Sequence, residues 1–297
     1  MSDPAPSRTA VMTAIGRAAH LLHHGPRALL ADWLAWPFVG AEAEVALTAV
    51  RGLLGDHEIP FCTFIAARSR IAEDWLAASG AGQYVILGAG LDSFAWRQPG
   101  SIRVVEVDHP SAQAWKRARA AAIGLPVPAG LAWVPVDFEQ QGLGSALAEA
   151  ALDGTRGVLV SWLGVIPYLT QGAIAATLRE LPPCSLAVGY VPAEGEWDDD
   201  ARQVGAALQA RVRAVGEPWI TLPTRAQFAA LLADNGFTVI EDVGAHDIQT
   251  RYGLAAVNYE RMALARRNVT GLAPPPDQIE VDVPEPARSA RNRPGDP

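Results

Sequence analysis

Two glycines one residue apart close an apolar run in Tyr84-Val85-Ile86-Leu87-Gly88-Ala89-Gly90-Leu91-Asp92-Ser93. Such a run reads as a buried strand entering a tight turn that opens a helix. Gly88 and Gly90 let the backbone turn sharply and leave no Cβ where a ligand would lie against the peptide. The following helix would aim its unpaired N–H groups at that ligand. Two acidic positions extend the pattern. Asp108 ends the next strand, 20 residues after Gly88 (108 − 88), where a carboxylate can accept hydrogen bonds from ribose hydroxyls. Asp137-Phe138 ends the third strand; there the acid would accept from an adenine amino group and the ring would cover its face, the alternative being a turn cap. Together these residues call for a nucleoside-containing cofactor at the carboxyl ends of parallel strands. NAD and S-adenosylmethionine both offer ribose hydroxyls. The dinucleotide motif G-x-G-x-x-G wants a third glycine where this chain has Ser93, which disfavours NAD.

The elements needed to hold these residues are legible in order. Thr9 to Leu30 reads as helix broken by Gly25-Pro26, with a second helix starting near Arg27. Helices follow over Glu42 to Leu54 and Phe61 to Ala78. From the central strand onward, strands at Ile102–Val107, Leu131–Val136, Val158–Trp162 and Ser185–Tyr190 alternate with helices at Ser111–Ala122, Leu143–Ala151 and Gln171–Leu181. That rhythm predicts an α/β fold with a doubly wound, mostly parallel sheet. Residues 1–79 form an N-terminal helical cap in this reading, and 80–270 the cofactor-binding domain. The stretch 192–223 is a helical insertion after the fifth strand that lies as a lid over the ligand edge, or else a solvated excursion. Thr224 to Asn235 is a helix closed by Gly236, and Phe237–Val243 and Leu254–Tyr259 are closing strands. The Pro-rich segment 271–297 is expected to be an extended or disordered tail.

Composition narrows the classes of function. The chain has 297 residues, enough for a full core at 49% hydrophobic content. A net charge of −8 argues against a nucleic-acid or acidic-membrane surface. No stretch is long and apolar enough to span a membrane, and the first nine residues lack a signal-peptide pattern, so a cytoplasmic protein is expected. Cys62 and Cys184 belong to no redox or metal motif. His20 and His24 have the i, i+4 spacing of paired ligands, but no acidic third ligand lies nearby, so no metal is expected.

Three segments carry a family likeness: Leu87-Gly88-Ala89-Gly90-Leu91-Asp92-Ser93, Val105-Glu106-Val107-Asp108-His109-Pro110, and the upstream Arg68-Ser69-Arg70. Together they resemble the leucine carboxyl methyltransferase family, S-adenosylmethionine-dependent methyltransferases of the Rossmann-like class I fold, including bacterial members that act on small molecules. The resemblance spans roughly Thr9 to Arg266. It implies that Arg68 salt-bridges the cofactor's carboxylate, that Gly88 and Gly90 lie beneath its methionine part, that Asp108 binds ribose, and that Asp137-Phe138 flanks adenine. A bidentate fork from Arg68 to a carboxylate suits the first role; a surface pair with Glu73 or Asp74 is the alternative. The chain departs from the family pattern E-G-x-x-x-Y-L after the fourth strand, where Leu163 replaces the glutamate in Leu163-Gly164-Val165-Ile166-Pro167-Tyr168-Leu169.

The expected reaction is O-methylation of a carboxyl or hydroxyl group on a small molecule, a biosynthetic intermediate. The rivals are methylation of a protein's C-terminal carboxyl and a non-catalytic cofactor-binding role. Methyl transfer from a sulfonium is an in-line displacement in which the protein chiefly aligns the reactants. No catalytic base is identifiable. The acceptor pocket is expected between the first helix at Met12 and Arg17, the insertion at Trp197 and Trp219, and Tyr168. Arg17 would anchor a carboxylate acceptor, unless it pairs with an acid such as Asp32 and the tryptophans are core.

Overall fold

The computed structural model describes residues 7–267 apart from 99, 101 and 141; the expected tail, 271–297, lies outside the described residues. Helix α1 (Arg8–His24) starts where the Ser7 side chain accepts from the Ala10 amide, and it stops at Gly25, whose φ is +52°. No helix begins near Arg27. Pro26 supports only one 3₁₀ turn (Gly25–Arg27), and the chain stays irregular until the Asp32 carboxylate accepts from the Ala35 amide at α2 (Ala35–Val39). Helices α3 (Ala43–Leu54) and α4 (Glu58–Ser79) follow. Much of α4 is buried on all sides, because α1 covers it on one side and the sheet on the other.

The strands are β1 (Gln83–Leu87), β2 (Arg103–Asp108), β3 (Leu131–Pro135), β4 (Val158–Trp162), β5 (Cys184–Tyr190), β6 (Thr238–Val243) and β7 (Arg261–Arg267). Between them lie α5 (Phe94–Arg97), α6 (Pro110–Ala122), α7 (Leu143–Glu149), α8 (Gln171–Glu180), α9 (Asp199–Ala214), α10 (Arg225–Asp234) and α11 (Ala245–Tyr252). The sheet order is β3-β2-β1-β4-β5-β7-β6. The first five strands are parallel, and β7 runs antiparallel between β5 and β6. The sheet is Rossmann-like, with helices on both faces. Its connections diverge between β1 and β4, which places a crevice at their carboxyl ends.

Side-chain alternation builds two apolar cores. Tyr84 and Ile86 face the core shared with α1–α4 and α9, whereas Val85 and Leu87 face the core under α7, α8 and α10. The last strand lies later than the sequence suggested. Leu254–Tyr259 makes no ladder, 245–252 is helical, and β7 starts at Arg261. Arginines at 261, 266 and 267 hide a strand whose middle, Met262 to Ala265, is buried on both faces. Among the described residues no helix is long and apolar enough to cross a membrane.

Candidate functional site

The glycine turn needs its glycines. Gly88 has φ +64° and Gly90 φ +47°, the left-handed region that side chains rarely adopt. A Cβ on Gly88 would collide with the Val165 side chain, and one on Gly90 would meet the Ala10 methyl at 3.3 Å. Beyond the turn, α5 is a single turn of helix, and Asp92 Oδ1 already accepts from the Phe94 amide at 2.7 Å. The long helix expected to aim N–H groups at a ligand is therefore absent; the bare backbone of the turn forms the cradle instead.

Ser93, at the place of the missing third glycine, fixes the turn from below. Its hydroxyl donates to Asp32 Oδ1 at 2.6 Å and accepts from Arg97 Nε at 2.8 Å. Arg17 Nε donates to Asp32 Oδ2 at 2.7 Å, and Arg97 pairs with Glu73 at 2.5 Å. Burial pushes the Asp32 carboxyl up, but Arg17 and Arg97 outweigh it and hold it below its ordinary value. This network ties α1, the loop before α2, α4 and the turn into one support.

A cavity of about 600 Å³ follows the carboxyl edge across β3, β2, β1 and β4, within the range of small-molecule sites, roughly 300–1,000 Å³. At one end are Asp137 and Phe138. Asp137 Oδ1 also accepts from the Glu139 amide at 3.0 Å, so it caps its turn as well as lining the cavity. Next comes Asp108, whose Oδ2 accepts from the Gly90 amide at 2.5 Å and Oδ1 from the His109 amide at 2.7 Å. Burial raises its pKa, against those two amide bonds. The amides fix the carboxylate at the strand end, where each oxygen keeps a further lone pair. The neighbouring Glu106 does not reach the cavity: it is fully buried and pairs with Lys116 Nζ at 2.6 Å.

In the middle of the cavity lie Gly88, Leu163 and Arg68. Arg68 does not pair with Glu73 or Asp74, which bind Arg97 and Arg70. Its Nη1 donates to both carboxylate oxygens of Glu260, each at 2.8 Å, and both side chains are buried. Tyr259 Oη donates to the same carboxylate at 3.1 Å. The pair needs two glycines around it: a Cβ on Gly164 would sit 3.0 Å from the guanidinium, and one on Gly189 2.6 Å from Glu260 Oε1. Leu163 makes this wall apolar where the family pattern has a carboxylate.

At the far end, α1 meets the segment that follows α9. Ile220 and Thr221 amides donate to the Pro167 carbonyl at 2.6 and 3.2 Å, which sets residues 216–220 against the cavity. Tyr168 Oη donates to Thr9 Oγ1 at 3.4 Å, and Thr9 Oγ1 donates to Glu217 Oε2 at 2.5 Å. Glu217 Oε1 accepts from the Arg8 amide at 3.3 Å. Burial pushes the Tyr168 phenol above its ordinary pKa, so it stays a donor at neutral pH.

Of the expected acceptor contacts, Tyr168 and Arg17 line the cavity and the two tryptophans do not. Arg17 lines the cavity, but its guanidinium is spent on Asp32 and on the Leu91 carbonyl at 2.7 Å, because a buried cation must be compensated. Trp197 is buried against α9, where a Cβ on Gly205 would strike its ring, and it does not line the cavity. Trp219 is half-buried and does not line the cavity, although its side chain reaches the Tyr168 hydroxyl that does. The histidines are occupied as well: His20 accepts from the Leu29 amide at 2.9 Å and His23 meets Glu58 at 2.8 Å. Among the described residues no cluster of three or more metal-binding side chains exists.

The donor set fits an S-adenosylmethionine-type cofactor: an oriented strand-end carboxylate, a cradle that a Cβ would fill, a guanidinium and an aromatic lie along one cavity. Sequence reasoning missed Glu260, Thr9 and Glu217. Glu260 sits in Tyr259-Glu260-Arg261 before an unrecognised strand and Glu217 in a loop without periodicity, so no local signal marked either.

Comparison with known proteins gives the family. A sequence model of the family described as leucine carboxyl methyltransferase matches residues 10–181. A relative from Mycolicibacterium vanbaalenii, named "Putative S-adenosyl-L-methionine-dependent methyltransferase", is 30% identical over 281 residues, 84% of this chain and 89% of that protein. A Bacillus subtilis protein of the same description is 32% identical, and the match spans 57% of this chain and 58% of that relative's length. Two crystal structures share the fold: a DUF574 family protein from Streptomyces avermitilis (TM-score 0.55, 19% identity, covering 76% of this chain and 91% of that one) and a protein titled "putative methyltransferase" from Thermobifida fusca (TM-score 0.54, 15% identity, covering 90% and 97%).

Proposed function

Because the chain belongs to the leucine carboxyl methyltransferase family and is an S-adenosylmethionine-dependent methyltransferase, we propose that it methylates a carboxyl or hydroxyl oxygen of a small molecule, a biosynthetic intermediate. The observation that carries this reading is the continuity of one cavity from Asp137 and Phe138 past Gly88 to Tyr168 and Glu217. It offers a cofactor half and an acceptor half on either side of the glycine turn.

In this reading Asp137 and Phe138 hold the adenine, Asp108 the ribose hydroxyls, and Gly88 and Gly90 the methionine part, with Arg68 meeting its carboxylate. The bound cofactor supplies an electrophilic methyl group on a sulfonium. The chain supplies alignment: the end of β4 and residues 163–168 form the wall beside the acceptor, and the α1 and 216–220 segments close over it and exclude water. Leu163 and Val165 make that wall apolar, which suits a small acceptor in a closed pocket.

Calorimetry tests the cofactor half without knowledge of the acceptor. S-adenosylhomocysteine should bind in the micromolar range, about −8 kcal/mol, and NADH should give no heat. Tight NADH binding with no response to S-adenosylhomocysteine would end this reading.

A further inference from the structure

The acceptor half of the cavity has a charge pattern that discriminates between the two oxygen acceptors. Two guanidinium groups and one imidazole line the cavity among the described residues: Arg17, Arg68 and His109. Arg17 is held by Asp32 at 2.7 Å and by the Leu91 carbonyl. Arg68 is held by Glu260, with both oxygens at 2.8 Å. His109 lies at the opposite end, its Nε2 4.0 Å from Asp137. The acceptor end instead presents a carboxylate, Glu217, joined through the Thr9 hydroxyl to Tyr168. Arg8 meets Glu217 only through its backbone amide, at 3.3 Å.

An ionised acceptor would enter this end beside a like charge, with each lining guanidinium already neutralised by a buried acid. Like charges at close range repel, and more strongly once a bound acceptor displaces water between them. A neutral hydroxyl meets the opposite situation, since its proton finds a carboxylate acceptor, and hydrogen bonds to charged groups are the strong ones.

We propose that the acceptor is a neutral hydroxyl of the phenol class and that Glu217, directly or through Thr9, takes its proton. The proposal rests on the methyltransferase reading above. The acceptor oxygen's lone pair forms the new O–CH3 bond, and the methyl–sulfur bond breaks with its electron pair passing to sulfur. The hydroxyl proton passes to the Glu217 carboxylate. If Thr9 relays it, Thr9 Oγ1 receives that proton while its own, already directed at Glu217 Oε2 at 2.5 Å, moves across. The products are a methyl ether, S-adenosylhomocysteine and a protonated Glu217 that returns its proton to water. Phenols suit this arrangement because they are the most acidic neutral hydroxyls, and a carboxylate base works best on an acidic partner.

The test is calorimetry on the full chain saturated with S-adenosylhomocysteine, titrated at neutral pH with phenol and separately with benzoate, one neutral and one ionised. Phenol is expected to bind, and benzoate at least about ten-fold more weakly. Glu217→Gln should weaken phenol about ten-fold or more while strengthening benzoate, and leave S-adenosylhomocysteine affinity nearly unchanged. A variant that only loosens the loop would weaken both probes together. Thr9→Val serves as a second variant and should also weaken phenol. Benzoate binding as well as phenol, no phenol binding, or unchanged phenol affinity in both variants would overturn the hydroxyl assignment. Those results with S-adenosylhomocysteine still bound would leave the methyltransferase reading standing; loss of S-adenosylhomocysteine binding by the unmodified chain would overturn both.

Discussion

Replacing Glu260 by glutamine should move stability and cofactor affinity in opposite directions. In the native protein Glu260 neutralises Arg68 through two contacts of 2.8 Å, and the two side chains are 4% and 6% exposed. Stranding one member of such a pair costs roughly 3–5 kcal/mol. Glutamine keeps one oxygen acceptor for Nη1, so the low end applies, about 3 kcal/mol. At roughly 2–4 °C per kcal/mol for a domain near this size, the ligand-free Tm should fall by about 6–12 °C. In the proposed complex the guanidinium also meets the cofactor's carboxylate, which in the native protein approaches a site already neutralised. Without Glu260 that carboxylate becomes the only counter-charge to Arg68, and S-adenosylhomocysteine should bind about ten-fold more tightly, roughly 1.4 kcal/mol. Thermal denaturation with and without S-adenosylhomocysteine, plus calorimetry on the folded variant, reads both effects. Weaker cofactor binding in a folded Glu260→Gln protein would refute the reasoning, because it would make Glu260 a helper of the cofactor and not its competitor.

Asp108→Ala removes the ribose acceptor, a charge-assisted bond worth roughly 1.5–3 kcal/mol; calorimetry should show S-adenosylhomocysteine affinity down ten-fold or more with the fold intact, and unchanged affinity would reassign the ribose site. Gly88→Ala should abolish cofactor binding, since the methyl would collide with Val165 at a φ of +64°; a titration with native affinity would show that the turn adapts. Asp32→Ala leaves Arg17 and Arg97 without their shared carboxylate, and a urea midpoint shift worth about 3 kcal/mol is expected; a shift near zero would mean the network under the turn contributes nothing. Burial pushes the Glu106 carboxyl from 4.5 up to about 7 despite Lys116. The folded state therefore holds that proton more tightly than the unfolded chain does, and the associated stability is full below about 4.5 and lost as pH rises through about 7. Glu106→Gln should flatten the decline in urea stability across that window, and an unchanged slope would place the titration elsewhere.

The sheet and its cofactor edge were legible because their signals are local. The apolar runs at 83–87, 103–108 and 158–162 are buried strands, and acids or glycines at their ends mark the crevice. The end of α10 was legible in the same way, where Gly236 takes a φ of +80° just past the helix. What the sequence concealed depends on partners distant along the chain. Arg17 is open in the sequence to either an acceptor or an acid such as Asp32, and only the fold, which brings Asp32 to it from 15 residues on, decides between them. Trp197 and Trp219 carry no periodicity that separates a core ring from a pocket ring. Glu217 and Thr9 are 208 positions apart, and nothing local announces that they touch. The strand at 261–267 was obscured by arginines that reach back to cover neighbouring carbonyls, Arg267 to Leu178 among them.

The pairing of Arg68 with Glu260 joins residues 192 positions apart, and this sets a schedule during synthesis. At roughly 5–20 residues per second, Glu260 leaves the ribosome about 10–40 s after Arg68. Until then α4 carries an uncompensated guanidinium in what becomes the cavity wall. The sheet waits too: β6 is made before β7 but touches β5 only through it, so β5 keeps an open edge until the last strand slides between them. The segment 10–181 that bears the family likeness contains only the first four of the seven strands. A nascent chain stopped there would hold the glycine turn, Asp108 and Asp137, yet lack β5, β6, β7 and the carboxylate that neutralises Arg68. The step that closes the sheet, β7 entering between β5 and β6, is also the one that brings Glu260 to Arg68.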